Sequence, residues 1–237
     1  MCRSLIEGGR RCTAHNEYGR QYRNLQARKQ YHLRAGNQAA AHEAQEAAAA
    51  LKHHRDSLLG VGGGVLQPYR MELTPAAEKI LKQLTADGYE PYIVGGSVRD
   101  ELLGMRGDSK DVDIEVYKAT PEQVVTSLRN IGQVDEVGKS FGVLKITLDG
   151  ENFDVSLPRK DSLNGDGGHR GFTVEVTPEL SLLEATSRRD YTVNALMYNH
   201  ELGFIIDKHT GLEDLNNHVL RHVSDAYDED PLRVLRG

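Results

Sequence analysis

Apolar residues along this chain follow two different rules, and the change falls near residue 65. Residues 17–59 carry no proline and only two glycines, Gly19 and Gly36, and alanine dominates residues 39–50. Helix propensity there is high, but the apolar stripe is thin: Tyr18, Tyr22 and Leu25, then mostly alanine. Such a helix packs weakly and lies either free or against a partner. Residues 1–16 are polar, contain Gly8-Gly9 and read as loop. Val61-Gly62-Gly63-Gly64-Val65 reads as a flexible linker, with Pro68 at the edge of the next domain.

Beyond that linker the spacing alternates between strand and helix. Thr74-Pro75 predicts a capped helix with proline at its first position, and Ile80, Leu81 and Leu84 form its apolar face. Strands are expected at about 91–95, 112–118, 143–148 and 152–157, with Asp149-Gly150 as a hairpin turn between the last two. Thr120-Pro121 opens a second capped helix over 121–130. Residues 189–196, 212–215 and 231–236 read as helical, and 204–206 as a short strand. Strands and helices mixed in this order predict an α/β sandwich with a partly antiparallel sheet.

Composition narrows the class. Charged residues make up 27% and apolar residues 38%, with no run near the ~20 apolar residues of a membrane span. The start, MCRSLIEGGRRC, lacks the apolar core of a signal peptide. Both cysteines, Cys2 and Cys12, precede the alternating region, so its fold needs no disulfide, which suits a reducing cytoplasm. With His15 they would make a poorly spaced zinc site. The net charge of −6 is uneven: residues 1–60 hold ten Lys/Arg and five Asp/Glu (+5), the remainder nineteen and thirty (−11). An acidic main domain argues against broad nucleic-acid affinity there and for local phosphate contacts. The basic start (Arg10, Arg11, Arg20, Arg23, Arg28, Lys29, Arg34) reads first as a solvated helix face and second as an RNA contact.

The segment VGGSVRDELLGMRGDSKDVDI, residues 94–114, carries the chemistry. An apolar run ends in Gly95-Gly96, a helical stretch follows, and a polar loop leads to Asp111-Val112-Asp113-Ile114. On a strand, Asp111 and Asp113 project from one face, and two adjacent carboxylates call for cations. Gly95 and Gly96 let backbone N–H groups approach phosphate, and the Arg99 guanidinium forks onto phosphate oxygens, with Asp100 placed to orient it. The combination points to Mg²⁺-dependent chemistry on a nucleoside triphosphate. Asp154, in Phe153-Asp154-Val155-Ser156, is brought to a neighbouring strand by the hairpin and is the candidate third carboxylate. In a helix, Asp190 and Asn194 share one face, suited to ribose hydroxyls, with Arg189 beside them for triphosphate or base. Asp230 and Arg233, three apart, offer an acceptor beside a donor. That order matches the pairing edges of cytosine and adenine and mismatches guanine and uracil; Asp230 before Pro231 is also a good N-cap. Arg236 lies one turn further, placed to stack or meet phosphate.

Residues 94–114 resemble the nucleotidyltransferase signature of the class II CCA-adding enzymes and bacterial poly(A) polymerases. The likeness continues in order through Gly168-His169-Arg170-Gly171-Phe172, Arg188-Arg189-Asp190-Tyr191-Thr192-Val193-Asn194-Ala195-Leu196 and Glu229-Asp230-Pro231-Leu232-Arg233-Val234-Leu235-Arg236, covering about residues 73–237. The resemblance implies a polymerase-β-like nucleotidyltransferase head with a mixed sheet over 71–217. The start of a helical neck would follow at 218–237, and a basic, Ala-rich helical extension (1–60) and a Gly-rich linker (61–70) would precede it. It implies Mg²⁺ held by Asp111 and Asp113, ATP and CTP as nucleotides, and the tRNA 3′ end as acceptor, with no membrane. It implies ribose recognition by the 188–196 block, base selection by the Asp230–Arg233 block, and a flexible loop over 160–171. The expected activity is CCA addition; poly(A) addition, or an NTP- and RNA-binding module with little activity, are the other readings. Family members continue into neck, body and tail regions that hold tRNA, whereas this chain stops at Gly237, so a fragment or a short protein lacking that clamp is expected.

Overall fold

Alternating apolar positions build a central sheet, in which eight strands lie in the order β1-β10-β9-β2-β3-β6-β5-β4. These are β1 (Val65–Pro68), β2 (Glu90–Val94), β3 (Asp113–Tyr117), β4 (Gln133–Asp135), β5 (Val143–Leu148), β6 (Glu151–Ser156), β9 (Met197–Asn199) and β10 (Phe204–Asp207). A separate pair, β7 (Arg159–Leu163) and β8 (Phe172–Val176), forms a two-stranded ribbon. This computed structural model describes residues 17–58, 60, 63–105, 112–136, 142–163, 172–225, 227, 233 and 234. Only β3 and β6 pair in parallel; every other neighbouring pair is antiparallel. The β5–β6 turn is the expected Asp149-Gly150, both at positive φ (51° and 81°), the backbone that a tight two-residue hairpin demands.

One sheet face packs on helices. In α3 (Pro75–Ala86), Thr74 caps the Ala77 N–H at 3.2 Å, and Ala77, Ile80, Leu81 and Leu84 are buried at helical spacing. In α5 (Pro121–Arg129), Thr120 and Gln123 form a reciprocal capping box. Their apolar faces meet Ile93, Ile114, Val116, Leu144, Ile146, Phe153 and Val155. Each such side chain, fully buried, stabilises the fold by roughly 1.5–3 kcal/mol. The opposite face presents Tyr92, Val94, Tyr117, Met197, Phe204 and Ile206. It is covered by Tyr18, Leu51 and Leu58 from the N-terminal segment and by Leu182 and Ala185 of α6 (Leu182–Ser187).

The N-terminal segment is a helical hairpin rather than one helix. α1 (Glu17–Arg34) ends where Gly36 takes a φ of 74°, and α2 (Gln38–Ser57) starts from an Asn37 cap on the Ala40 N–H at 3.1 Å. Glycine at positive φ breaks the helix that alanine content favours. Ala41, Ala44 and Ala48 bury the inner face of α2. Nor does the hairpin lie free. Its base sits on the sheet, with the Tyr18 ring 5.5 Å from Phe204 and the Tyr18 N–H donating to the Leu202 carbonyl at 3.0 Å.

Three further readings change. Val65–Pro68 are not linker but edge strand β1, because Leu66 packs on the second face and the backbone pairs with β10. Residues 160–163 belong to β7 rather than to a loop, paired with β8, while 164–171 lie outside the described residues. The 189–196 block is not a full helix: α6 ends at Ser187 and only Thr192–Asn194 form a 3-10 turn. Thr192 N–H donates to the Arg221 carbonyl and Val223 N–H to the Asp190 carbonyl, so the first residues after 217 pair with the head. Of the helix expected over 231–236 only 233 and 234 are described, in a 3-10 turn, and the rest lies outside the described residues.

One ion pair at the hairpin base makes stability depend on pH. His54 Nε2 lies 3.6 Å from Glu201 Oε2. That hydrogen bond raises His54 against the effect of burial, Glu90 adding to the rise and Lys118 opposing it; the same bond lowers Glu201. The His54 contribution is therefore complete below its unfolded value and is lost as pH rises through the raised folded value. The Glu201 contribution is lost as pH falls through its depressed value. A half-exposed pair is worth less than about 1 kcal/mol. Protection of the α2 amides, corrected for the intrinsic base-catalysed exchange rate, is expected to fall by up to about a few fold between mildly acidic and mildly alkaline pH, and Glu201→Gln should flatten that dependence.

Candidate active site

Three neighbouring interior strands bring their residues together towards one end of the sheet. In register, Val94 at the end of β2 lies opposite Asp113 at the start of β3, and Asp113 lies opposite Asp154 on the parallel β6. Adjacent strands are about 4.8 Å apart, so the two exposed carboxylates stand side by side. Lys145 Nζ approaches Asp154 Oδ1 at 3.6 Å. Asp111 lies outside the described residues.

Gly95 follows β2 with φ 75° and ψ −144°, a backbone reserved for glycine. A Cβ there would stand 3.3 Å from Arg189 Nη1 and 3.5 Å from Asp113 Oδ2. Its smallness thus lets a guanidinium and a carboxylate close on the turn. Gly96 opens α4 (Gly96–Leu102), and a Cβ on it would meet Arg99 Nη2 at 3.4 Å. Two arginines therefore flank the two glycines, with the Asp113–Asp154 pair beside them.

Both arginines are held in place by side chains. Arg99 Nε donates to Asp100 Oδ1 at 2.8 Å and Arg99 Nη1 to Asn194 Oδ1 at 2.6 Å. Asn194 Nδ2 donates to Asp190 Oδ1 at 3.0 Å, which also accepts the Tyr191 N–H at 2.8 Å. Asp190 and Asn194 thus meet as the sequence spacing suggests, although a 3-10 turn and not an α-helix joins them. That turn is anchored by buried Asp214, which accepts from Thr192 Oγ1 at 2.7 Å and from Arg221 Nε at 3.0 Å; the Arg221 hydrogen bond holds the Asp214 carboxyl low.

Arg189 Nη2 donates to Glu115 Oε2 at 3.0 Å, and Tyr117 donates its hydroxyl to Glu115 Oε1. Burial, then the Glu115 charge, pushes the Tyr117 hydroxyl well up, so it stays a donor. Sequence reasoning missed Glu115 and Tyr117. The signal was a glutamate inside the apolar run Ile114-Glu115-Val116, two residues from Asp113 and so on the same strand face. It also missed Tyr191, whose hydroxyl is 2.7 Å from that of Tyr227 and donates to the Arg233 carbonyl at 3.2 Å. The Tyr227 hydroxyl, then burial, pushes Tyr191 up to about 12. Arg233 Nη2 donates to the Arg188 carbonyl at 3.0 Å. Arg233 therefore joins the 188–191 segment next to Asp190, while Asp230 and Arg236 lie outside the described residues.

Among the described residues no three His, Cys, Asp or Glu side chains gather as a metal site. The described part is the carboxylate pair Asp113–Asp154, hard oxygen donors of the kind that magnesium takes. A cavity of about 270 Å³ lies at the other end of the strands, lined by Leu58, Glu90, Tyr117, Lys118 and Leu182, and includes neither Asp113 nor Asp154.

Residues 91–221 match the poly A polymerase head domain family. The multifunctional CCA protein of Aromatoleum aromaticum is 41% identical over 145 residues, 61% of this chain and 33% of that protein. The multifunctional CCA protein of Xylella fastidiosa strain M23 is 41% identical over 146 residues, 62% of this chain and 33% of that protein. This chain thus spans about a third of the length of the curated relatives it matches. Among solved structures, the Bacillus stearothermophilus CCA-adding enzyme in complex with CTP superposes with a TM-score of 0.56 at 34% identity, over 69% of this chain and 38% of that one.

Proposed function

From the premise that this chain belongs to the poly A polymerase head domain family, we propose that it is a template-independent nucleotidyltransferase that adds CMP and AMP to RNA 3′ ends, with CCA addition to tRNA as its reaction. One observation carries this reading: the Asp113–Asp154 pair stands against a Gly95-Gly96 turn flanked by Arg99 and Arg189. The relatives' names, CCA protein and CCA-adding enzyme with CTP, support the nucleotides. The proposed unit is the head, which includes β1 at residues 65–68 and the 221–223 segment paired to it, with 1–60 as an appended helical part, working in a reducing cytoplasm.

In this reading the acceptor 3′-oxygen attacks the α-phosphorus, and the bond to pyrophosphate breaks. Gly95 and Gly96 admit the triphosphate to backbone N–H groups, and Arg99 and Arg189 fork onto its oxygens. Glu115 keeps one edge of Arg189 engaged, so the other is aimed at the Gly95 turn. Asp190 and Asn194 contact ribose hydroxyls. Asp113 and Asp111 would hold Mg²⁺, with Asp154 as a third carboxylate. Bound Mg²⁺ supplies charge neutralisation at the phosphates and a more acidic attacking hydroxyl.

Three acceptors decide the reading: tRNA lacking CCA, tRNA ending in CC, and an unrelated RNA, each with single NTPs. CMP on the first and AMP on the second is the expected result. Repeated AMP addition to any RNA would instead favour poly(A) synthesis, the activity for which the matched family is named. No transfer to any of them would refute nucleotidyl transfer by this chain.

Base choice gives a second test, resting on Asp230 and Arg233. The chain is expected to prefer CTP and ATP over GTP and UTP by roughly 10- to 100-fold, the worth of bidentate edge recognition. Asp230→Ala should flatten that preference more than it weakens binding, since the triphosphate contacts persist. A cap role alone would loosen a helix by about 1 kcal/mol and leave base preference intact. Nucleotide titrations of both proteins separate the outcomes.

A further inference from the structure

The helical hairpin precedes the region that matches the family, and its outer face is not used by the site above. Tyr18, Tyr22 and Leu25 turn one side of α1 inward. At about 100° per residue, Arg20, Arg23, Arg28, Tyr31 and Arg34 fall within an arc of about 140° on the other side. All five are exposed, Tyr31 to 69%. Residues 18–34 contain no Asp or Glu, and from Arg20 to Arg34 the helix runs about 21 Å.

We propose that this face of α1 is an RNA-docking surface, which grips the phosphate backbone of the acceptor RNA at a distance from its 3′ end. Charge complementarity favours that occupant. Residues 61–237 carry a net −11, so the head offers little general attraction for phosphate, whereas α1 alone carries five cations against Glu17. Arginine forks suit phosphate oxygens, and an exposed tyrosine ring among them suits stacking on an unpaired base. A membrane surface fits less well, because an interfacial helix needs its apolar side outward, and here Tyr18 and Leu51 pack on the sheet.

Position supports the remote grip. Tyr18 is fixed to the turn between β9 and β10, by Leu202 and Phe204. In register, Phe204 and Asn199 lie at the strand ends away from Met197, which pairs with Val94 next to Asp113. The hairpin is thus rooted at the end of the strands opposite the carboxylates. This surface is independent of base selection and of transfer itself, so it is read by binding alone.

The test uses the full chain and tRNA lacking CCA, with fluorescence anisotropy over a salt series. Replacing the four arginines together (Arg20→Gln, Arg23→Gln, Arg28→Gln, Arg34→Gln) should weaken RNA binding at least tenfold near ~0.1 M salt. It should also reduce the slope of log affinity against log salt by about 3, close to one per lost phosphate contact. CTP affinity, measured without RNA, should not change, which certifies a folded head and keeps this result apart from that of the nucleotide tests. The four-lysine variant at the same positions should keep most of the salt slope. Unchanged RNA affinity and slope in the glutamine variant would overturn the proposal. So would unchanged RNA affinity accompanied by lost binding to anionic lipid vesicles, or by a change in sedimentation from dimer to monomer.

Discussion

Asp113→Asn is expected to lower nucleotide transfer by about 10²- to 10³-fold, the scale seen when a charge-stabilising group is removed from a reacting centre. The side chain is exposed at the first residue of β3, while its backbone holds register with Val94 and Asp154. An asparagine keeps shape and backbone pairing, so the unfolding free energy should stay within about 0.5 kcal/mol of wild type. The proposed triphosphate contacts through Arg99 and Arg189 would remain, so CTP binding is expected to fall far less than turnover. Asp111→Asn should behave likewise, on the strength of the Asp-x-Asp spacing. Single-turnover CMP incorporation with Mg²⁺ checks this. Near-wild-type turnover in either variant would remove the carboxylates from the reaction.

Much of the head was legible because its signals are local. Thr74-Pro75 and Thr120-Pro121 announce helix starts, since a cap and a proline satisfy the same unpaired N–H groups whatever the tertiary setting. Asp149-Gly150 announces a tight turn because both residues must adopt positive φ. The Asp113–Asp154 juxtaposition followed from the hairpin plus one inference, that β6 lies beside β3.

What the sequence hid depends on distant partners. Nothing local in Val65-Leu66-Gln67-Pro68 tells edge strand from linker, because the strand exists by pairing with β10, far along the chain. The 189–196 block carries helical spacing, yet Arg189 is drawn to Glu115 and the backbone to residues 221–223, and only a 3-10 turn survives. Helix propensity over 17–57 was right for both helices and silent on their docking, which Tyr18 and Leu58 decide by burial on a face the sequence could not show vacant.

Gly95→Ala is expected to lower transfer by about 10²-fold, while Gly88→Ala, at a similar φ, leaves it unchanged. Both glycines have positive φ, 75° and 88°, so alanine at either strains the backbone by roughly 1–3 kcal/mol. That cost should appear as a fall in melting temperature of similar size, about 2–4 °C per kcal/mol for a domain of this length. The surroundings differ. A Cβ at Gly88 meets no atom within 4 Å, whereas at Gly95 it stands 3.3 Å from Arg189 Nη1 and 3.5 Å from Asp113 Oδ2. Arg189 cannot swing aside cheaply, because its other edge is engaged by the buried Glu115 carboxylate. A few tenths of an ångström must come from the guanidinium or from the turn, and displacements approaching 1 Å cost on the order of 10²-fold in rate. Melting curves and single-turnover assays on the two variants separate strain from site geometry. Equal activity in both would mean that the Gly95 turn does not shape the site; equal loss in both would mean that stability alone sets the rate.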